Sequence, residues 1–489
     1  MLSNRMHQVL STASANFGMA LFERRDLRAA VTAVLDETGR WEKRKAPLTA
    51  PLVVFFVLAL GWFRPLSIRC LLKQFLLWMR AAAPDLSLRA VTPEAMCHAR
   101  ARLGVEPLKA LFYRLAVLFG QTTARFLGLR PWALDGVHLT MPDTPANVVE
   151  FGRPGTGRGS AAFPQMLVVA LVDAATHLVR DIVPGRTNAP ERTGCEEIVN
   201  RLGCGPEPPP AGDLEPGDYD RLLGHLGPWD LLMLDRGFAA AWLFSVIMNA
   251  KIHLLARIPA SWSPKVLKRL GPGDYLVEVR GPAMSAREAK RKNLSSVPEI
   301  VLTLRMLEYQ IKDGERVRLL TDLLDAALYP ALDLATGYHL RWEGELAYGE
   351  IKNSLATVNQ GKLHTILRSK SPAGVLQEVY GLFTAYNLVR ALMFEAAVEH
   401  DIPPLEISFT EALAVIKVAF QEFERAAPAD YPRLMRTLLT DIAGCRLDRP
   451  RRRRHYPRVV KVKMSNWKLK RAQHRQQRID FRAELRLCG

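Results

Sequence analysis

The hydrophobic spacing of this chain changes near residue 131, and that change limits its possible folds more than any other feature. Before residue 120 the apolar residues recur at helical spacing, whereas after Pro131 they form short runs that are typical of strands. Strands and helices then alternate, which indicates an α/β core behind a helical N-terminal region. A chain of 489 residues also exceeds the roughly 250 to 300 residues at which single cores stop growing, so we expect several domains.

Short segments between residues 131 and 325 carry the strand pattern. The predicted strands are WALDG around Asp135, 166–173, 177–183, DLLMLD ending at Asp235, and HLLARIP. The predicted helices are ERTGCEEIVNRL and AAAWLFSVIMN, and residues 205–218 are a predicted Pro-rich loop. Three more strand-like runs follow between 261 and 325 without a long helix, so we predict a strand-rich insertion there.

The N-terminal region, residues 26–120, is predicted to be a set of helices. Its longest apolar run, 52–63, has 12 residues, fewer than the roughly 18 that suggest a membrane span, and predicts a buried helix. Two short helices between Thr92, a predicted N-cap, and the residues beyond Gly104 carry Arg100 and Arg102. They fit a helix-turn-helix DNA reader. A plain structural role fits the same residues, and we prefer it.

The N-terminus and the cysteines indicate the compartment. The first residues show neither a long apolar core nor a cleavage pattern, and the six cysteines are scattered without CxxC pairs. This pattern argues against export, a disulfide framework and a structural zinc site. We therefore expect a cytoplasmic protein that does not bind membranes.

The positive charge is concentrated in the C-terminal tail. Of the net charge of +18, residues 446–489 carry +13, from 16 Lys and Arg against three acids. The run RRRR at 451–454 with Tyr456 and Trp467 nearby is typical of a surface that contacts nucleic-acid phosphates. A solvated tail is the alternative interpretation. DNA is thus the expected partner, and the expected location is the nucleoid within the cytoplasm.

The stretch GYHLRWEGELAYGEIKN, residues 337–353, places four polar side chains on one face of a predicted helix. At about 100° per residue, Arg341, Glu345 and Lys352 lie near 300°, 340° and 320° from Tyr338. Leu340, Ala347 and Ile351 form a separate apolar stripe. A solvated helix face with ion pairs would give the same pattern, so the stripe alone does not define a site.

Three acids stand out by their context. Asp135 and Asp235 each close an apolar run that predicts a buried strand, and Glu345 lies on the polar stripe. Acids at the ends of buried strands cost desolvation free energy unless they are paired or bind a cation, so a metal site is one interpretation. Ordinary turn formation or capping is the other.

The combination of motifs resembles a known family. In order, LDGVHLTMPDTPAN, LMLDRGF and Y-x-x-R-x-x-x-E-x-x-x-x-x-x-K are similar to motifs of bacterial DDE transposases in the insertion sequence four group, which carry a Tyr-Arg-Glu-Lys signature. The segments AVLDETGRWEKRKAPL and HARARLG resemble the N-terminal domain of that group. The resemblance extends from about residue 26 to 470.

This resemblance implies a fold and a site. The fold would be an RNase H-like catalytic core interrupted by a β-rich insertion, with Asp135 on the first strand, Asp235 after the fourth and Glu345 on the closing helix. These three acids would hold two Mg²⁺ ions, for which Mn²⁺ could substitute. Tyr338, Arg341 and Lys352 would hold the phosphates of the DNA end. On the helical wheel, the rival acids Glu343 and Glu350 fall away from the stripe.

The resemblance also suggests how the chain is divided. The expected segments are a helical N-terminal DNA-binding domain (1–125), the first part of the core (126–260), the β-rich insertion (261–325), the second part of the core with C-terminal helices (326–445) and the basic tail (446–489).

By resemblance, the expected activity is cut-and-paste transposition of an insertion sequence, with metal-dependent end cleavage followed by strand transfer. The DNA partners would be the terminal inverted repeats and the target, bound by a homodimer. Two other functions remain open. One is a catalytically silent end-binding protein that acts as an inhibitor or architectural factor, and the other is a metal-dependent nuclease without strand transfer.

Overall fold

The structure is a computed structural model. It describes residues 21, 27–43, 48–64, 66–82, 91–119, 125–156, 159–203, 225–311, 314–355, 358–359, 362–363, 367–447 and 481–488. The predicted Pro-rich loop at 205–218 and most of the basic tail, including the RRRR run, lie outside the described residues.

The described elements alternate between helices and strands in the mixed α/β manner predicted. Up to residue 202 they are, in chain order, α1 (Leu27–Glu37), α2 (Ala50–Trp62), α3 (Ile68–Ala82), α4 (Pro93–Leu103), α5 (Glu106–Phe119), β1 (Arg130–Thr140), α6 (Pro145–Phe151), β2 (Gly155–Thr156), β3 (Gly159–Ser160), β4 (Gln165–Asp173), β5 (Val179–Arg186) and α7 (Glu191–Leu202).

After residue 225 the described elements are β6 (Asp230–Leu234), a 3-10 turn (Arg236–Phe238), α8 (Ala241–Asn249), β7 (His253–Arg257), β8 (Lys265–Gly271), β9 (Asp274–Pro282), α9 (Ala286–Arg291), β10 (Glu299–Ile311), β11 (Val317–Thr321), α10 (Ala331–Gly337), a 3-10 turn (Tyr338–Arg341), α11 (Trp342–Gly349), a π-helical turn (Glu350–Ser354), β12 (Val358–Asn359), β13 (Lys362–Leu363), α12 (Pro372–Glu399), a 3-10 turn (Pro404–Glu406), α13 (Phe409–Arg425), a 3-10 turn (Pro428–Asp430), α14 (Tyr431–Gly444), α15 (Phe481–Glu484) and β14 (Leu485–Leu487).

Local sequence signals explain the ends of the N-terminal helices. Helix α4 begins after Thr92, whose side chain accepts a hydrogen bond from the backbone N–H of Ala95 at 3.2 Å. It ends at Gly104, whose φ of +75° suits glycine. Helix α2 is buried along its whole length, which confirms the prediction of a buried rather than membrane-spanning helix. Among the described residues, no helix combines the length and apolarity needed to cross a bilayer.

The chain divides into two compact units. Unit 1 comprises Met1–Leu232, Asn249–Ile252 and Leu340–Arg446, and unit 2 comprises Met233–Met248, His253–His339 and Leu447–Gly489. This division differs from the five segments expected from the sequence, whose boundaries stay a prediction.

Unit 1 combines a sheet with a helical core. Strands β5, β4 and β1 are neighbours in that order and pair antiparallel, which confirms the prediction of three adjacent strands. Helix α2 packs closely on the long helix α12, because a Cβ added at Gly61 would come within 2.9 Å of the Ala385 Cβ. The indole N–H of Trp62 also donates to the Ala385 carbonyl at 2.9 Å. The close approach of the two helices needs a residue without a side chain at position 61.

Unit 2 contains the strand-rich insertion that the sequence predicted. Its strands β7, β11, β10, β9 and β8 are neighbours in that order. A fully buried guanidinium, Arg305, donates to both carboxylate oxygens of Asp274 at 2.8 and 2.7 Å and ties β10 to β9. The C-terminal strand β14 pairs with β10 through Tyr309 and Leu487. The sequence did not predict that strand.

Three local expectations were wrong. Asp135 lies in the middle of β1 rather than at the end of a strand, because β1 continues to Thr140. His177 precedes β5 and has a φ of +64°, so it belongs to the turn after β4. Residues 338–352 are not one regular helix, since a 3-10 turn precedes α11 and a π-helical turn follows it.

Candidate active site

The residues of the predicted polar stripe lie on three consecutive elements, a 3-10 turn, α11 and a π-helical turn. A 3-10 turn advances about 120° per residue rather than about 100°, so the wheel angles calculated for Tyr338 and Arg341 do not hold. Glu345 lies on α11, and Lys352 lies on the π-helical turn. In unit 1, Arg341 nevertheless contacts both Glu345 and Asp135.

Arg341 contacts two of the predicted acids. Its Nη2 donates to Glu345 Oε1 at 2.8 Å, and its Nη1 lies 3.8 Å from Asp135 Oδ2. The guanidinium also lies over the exposed ring of Trp342, 5.1 Å from its centroid. The Arg341 side chain is 8% exposed, whereas those of Asp135 and Glu345 are 20% and 40% exposed. The two carboxylates thus converge on one cationic group while remaining open to solvent.

Backbone and tyrosine contacts fix Asp135 against α11. The backbone N–H of Gly136 donates to Asp135 Oδ1 at 2.8 Å. The hydroxyl of Tyr348 lies 2.7 Å from the Asp135 carbonyl and 3.2 Å from the Ala170 carbonyl, linking α11 to β1 and β4. Burial raises the pKa of Tyr348 well above its ordinary value, so this hydroxyl stays protonated.

A glycine allows α11 to lie directly on β1. A Cβ added at Gly344 would come within 2.9 Å of the Ala133 Cβ, which is closer than side chains normally approach. Ala133 and Asp135 lie on the same face of β1, because side chains alternate along a strand. The close approach at Gly344 therefore places α11 over the face that carries Asp135.

Lys352 belongs to the same neighbourhood in unit 1. Burial lowers the pKa of Lys352, and the negative charge of Asp135 opposes that shift. Burial likewise lowers the pKa of His138, and the charge of Lys352 adds to the effect. These couplings show that the lysine ammonium lies within electrostatic range of Asp135.

The rival acids Glu343 and Glu350 lie away from the polar stripe, as the helical wheel predicted; Glu343 is buried and Glu350 is half-buried. Glu343 Oε2 lies 2.8 Å from His177 Nε2. Glu350 Oε2 accepts hydrogen bonds from the Tyr386 hydroxyl at 2.7 Å and from Arg390 Nε at 3.1 Å. Burial acts to raise the pKa of Glu350, but the guanidinium of Arg390 outweighs it and holds that pKa at about 2. Sequence reasoning missed His177, Tyr386 and Arg390, which carry no local motif.

Asp235 and Tyr338 lie in unit 2. Asp235 follows β6 directly, as predicted, and its Oδ1 accepts a hydrogen bond from the backbone N–H of Gly237 at 2.7 Å. Tyr338 is buried, and its hydroxyl donates to the Leu234 carbonyl at 3.0 Å. Tyr338 thus contacts the residue before Asp235, and its predicted contact with DNA stays a prediction.

The possible DNA-reading helix pair has a structural contact at its centre. Arg100 is buried, and its guanidinium donates to Gln377 Oε1 at 3.1 Å and to the Gly374 carbonyl at 2.9 Å. It also donates to Ser369 Oγ at 3.0 Å. Arg100 therefore ties α4 to the start of α12, which agrees with the preferred structural interpretation, while Arg102 is exposed.

The acids around Arg341 have the chemistry that a divalent cation requires. Carboxylate oxygens are the ligands that Mg²⁺ prefers, and Mg²⁺ needs only one or two from the protein. Asp135 and Glu345 already converge on a positive charge, so this donor set fits a cation. Within the described ranges, no group of three His, Cys, Asp or Glu side chains is arranged to hold a metal ion. The three-acid metal site is therefore still a prediction.

Comparison with known proteins gives three results. Residues 25–113 match the family described as insertion element 4 transposase N-terminal. The chain is 29% identical over 438 residues to transposase InsG for insertion sequence element IS4 of Escherichia coli (strain K12), covering 88% of this chain and 89% of that protein. A solved piggyBac transposase synaptic complex with hairpin DNA aligns at 11% identity and a TM-score of 0.38, covering 80% of this chain and 76% of that one. A likeness that weak assigns neither fold nor function.

The first two matches are both to transposases of insertion elements. Both point to the same group of transposases, and they confirm the resemblance found in the sequence motifs. The chain is thus similar to the IS4-family insertion-element transposases.

Proposed function

We propose that this protein is a DNA transposase of an IS4-type insertion sequence and that it works by a metal-dependent, cut-and-paste DDE mechanism. The observation that carries the proposal is the convergence of Asp135 and Glu345 on Arg341, with both acids partly exposed. The similarity to an IS4 transposase over 88% of the chain supports it. The third acid, Asp235, enters the proposal through its sequence motif.

The order of elements supports an RNase H-like core as part of this proposal. Asp135 lies on β1, the first strand of the antiparallel trio in unit 1 by chain order, and Asp235 follows β6. Glu345 lies on a helix that comes after the strand-rich insertion in the chain. An RNase H-like core would have the three acids in this order along the chain, and the order therefore supports the proposal.

Each residue of the proposed site has a chemical task. Bound divalent ions would activate a water or hydroxyl nucleophile and stabilise the leaving oxygen of a phosphodiester. Asp135, Asp235 and Glu345 would hold those ions through their carboxylates. Arg341 can grip a phosphate with two parallel N–H donors, and Lys352 supplies a point charge. Tyr338 would support the site through the backbone next to Asp235. Together these contacts would orient the scissile bond.

Cleavage and joining would use the same residues in sequence. Hydrolysis at the element end releases a 3′ hydroxyl, and this hydroxyl then attacks a phosphodiester of the target DNA. The expected partners are terminal inverted repeats and target DNA, bound by a homodimer because two ends must be brought together. The basic tail would add phosphate contacts. The proposed setting is the cytoplasm, at the nucleoid.

The test is an assay with a labelled DNA fragment that ends in the element's own terminal repeat. Wild-type protein should nick the element boundary and join the freed 3′ end to a plasmid when Mg²⁺ or Mn²⁺ is present, and chelator should stop both steps. Binding without nicking would overturn the proposal in favour of a silent end-binding protein. Nicking without joining would show that the protein is a nuclease without strand transfer.

A further inference from the structure

A buried polar cluster lies on the side of α11 away from Glu345, and no step of the proposed reaction uses it. It consists of His177, Glu343, Glu350, Tyr386 and Arg390, all within unit 1. His177 comes from the turn after β4, Glu343 from the first turn of α11, Glu350 from the π-helical turn that follows α11, and Tyr386 and Arg390 from α12. Three separate parts of the chain thus meet at one helix.

The hydrogen bonds of this cluster fix the tautomer of His177. Arg390 Nη2 lies 2.8 Å from His177 Nδ1, and a guanidinium has only donors, so Nδ1 must accept. The ring proton is then on Nε2, which donates to Glu343 Oε2 at 2.8 Å. Arg390 also forms an ion pair with Glu350. The imidazole therefore connects both glutamates through one directed chain of hydrogen bonds.

The turn that presents His177 is itself held in place. Asp173 Oδ1 accepts hydrogen bonds from the backbone N–H groups of Ala175 at 2.7 Å and Thr176 at 3.2 Å. The backbone N–H of His177 donates to the Asp173 carbonyl at 2.8 Å. These bonds stabilise a positive φ at His177, a conformation that residues other than glycine seldom adopt.

Glu343 and Glu350 are placed where they can control the rotation of α11. They lie seven residues apart, about two turns, and so share one face of the helix. The 3-10 turn before α11 and the π-helical turn after it interrupt the regular hydrogen bonding. Regular helix before and after α11 therefore does not fix the rotation of α11 about its axis. Side-chain contacts at its two ends can fix this rotation.

We propose that the His177, Glu343, Glu350 and Arg390 cluster positions α11, so that Glu345 and Arg341 face Asp135 with the spacing that a divalent cation needs. This inference rests on the proposed function. His177 acts as a positioning residue, because it holds the opposite side of the helix and does not contact substrate. A buried ionic cluster is a costly way to gain stability alone, since apolar residues of similar volume often stabilise as well. Hydrogen bonds with fixed donors and acceptors instead specify one rotation of α11 about its axis.

The test compares full-length wild-type protein with His177→Ala and His177→Gln. Both replacements have a Cβ and face the same backbone strain at this positive φ. Glutamine can accept from Arg390 and donate to Glu343, whereas alanine can do neither. A matched control is Asp181→Asn, which breaks another buried ion pair of unit 1, with Arg201 at 2.8 Å, away from α11. Thermal unfolding checks that each variant folds and how much stability it loses.

The primary readout is the affinity for Mn²⁺, measured by electron paramagnetic resonance of the free ion, and end cleavage is the second. Losing a residue that orients metal ligands typically costs about 10- to 100-fold in metal affinity or activity. We expect that loss for His177→Ala, substantial recovery for His177→Gln, and wild-type affinity for Asp181→Asn at a similar loss of stability. Equal Mn²⁺ affinities in all four proteins, or equal losses in His177→Ala and Asp181→Asn, would overturn the inference.

The two readouts separate this inference from the proposed function. If wild-type protein binds Mn²⁺ but never cuts DNA, the proposed function fails, and the affinities of the variants still decide the role of His177. If wild-type protein cuts DNA and His177→Ala cuts equally well at limiting Mn²⁺, the inference fails alone. Absence of Mn²⁺ binding to the wild type would count against both.

Discussion

The two sides of α11 carry the same kind of residue in opposite settings. On one side Glu345 is 40% exposed and contacts Arg341, which also lies near Asp135. On the other side Glu343 is 5% exposed, and it is connected to Glu350 through His177 and Arg390. An exposed carboxylate beside a second acid can receive a ligand, whereas a buried one with directed partners cannot. Glu345 and Glu343 thus differ in accessibility and in the partners that hold them, although both are glutamates on one helix.

The side of α11 that carries Glu345 and faces Asp135 is called the open side below. The largest effect should come from removing an acid on this open side. We expect Asp135→Asn to reduce end cleavage by about 10³-fold or more, because metal ions supply several kcal/mol of transition-state stabilisation. Binding of the DNA end should be retained. Single-turnover cleavage and a gel-shift titration measure the two quantities. Asp143→Asn, which changes an exposed acid paired with Arg153 near the same strand, is the control and should cut normally.

The side of α11 that carries Glu343 and meets His177 is called the closed side below. On this closed side, the largest effect should be on the stability of the fold. Arg390→Met leaves the buried Glu350 without its guanidinium, which should lower the free energy of unfolding by about 3 to 5 kcal/mol. Urea denaturation measures the change. Arg446→Met removes an exposed partner of Glu406 and should cost at most about 1 kcal/mol. Similar losses in the free energy of unfolding for both variants would show that the Arg390 contact contributes no more to stability than an exposed ion pair.

The closed side should also reveal itself through pH. The pKa of Glu350 in the folded protein is about 2, below its ordinary 4.5, so its carboxylate stabilises the fold above pH 4.5 and loses that effect as pH falls towards 2. A shift of this size corresponds to about 3 kcal/mol. The stability difference between wild type and Glu350→Gln should therefore be full at pH 7 and shrink below pH 4.5. A difference that stays constant down to pH 3 would refute the assignment.

The smallest expected effect concerns the contact between α11 and β1. Gly344→Ala should push the helix from Ala133 and lower the free energy of unfolding by about 1 to 3 kcal/mol, with slower cleavage because Glu345 moves with the helix. Gly444→Ala is the control, since a Cβ there meets nothing within 4 Å. If the two substitutions have equal effects on cleavage, the close approach does not position the site.

The open side of α11 could be predicted from the sequence, and the closed side could not. Helical spacing separates Glu345 from Glu343 and Glu350, because the angle between two side chains about a helix axis follows from their separation along the chain. His177 and Glu343 are 166 residues apart, and no local pattern shows that they meet. The same limit explains the error at Asp135, whose strand continues through polar residues because β4 pairs with it up to Thr140. Motif order thus located candidate acids, while their partners needed the structure.

The most direct test of the central claim is Glu345→Gln, assayed for end cleavage in Mg²⁺ and for equilibrium unfolding in the same preparation. Glu345 is exposed, and its pair with Arg341 should contribute at most about 1 kcal/mol to stability. We expect a protein with nearly wild-type stability and DNA binding that no longer nicks the element boundary. Full cleavage by this variant would contradict the claim that the open acids of α11 carry the chemistry.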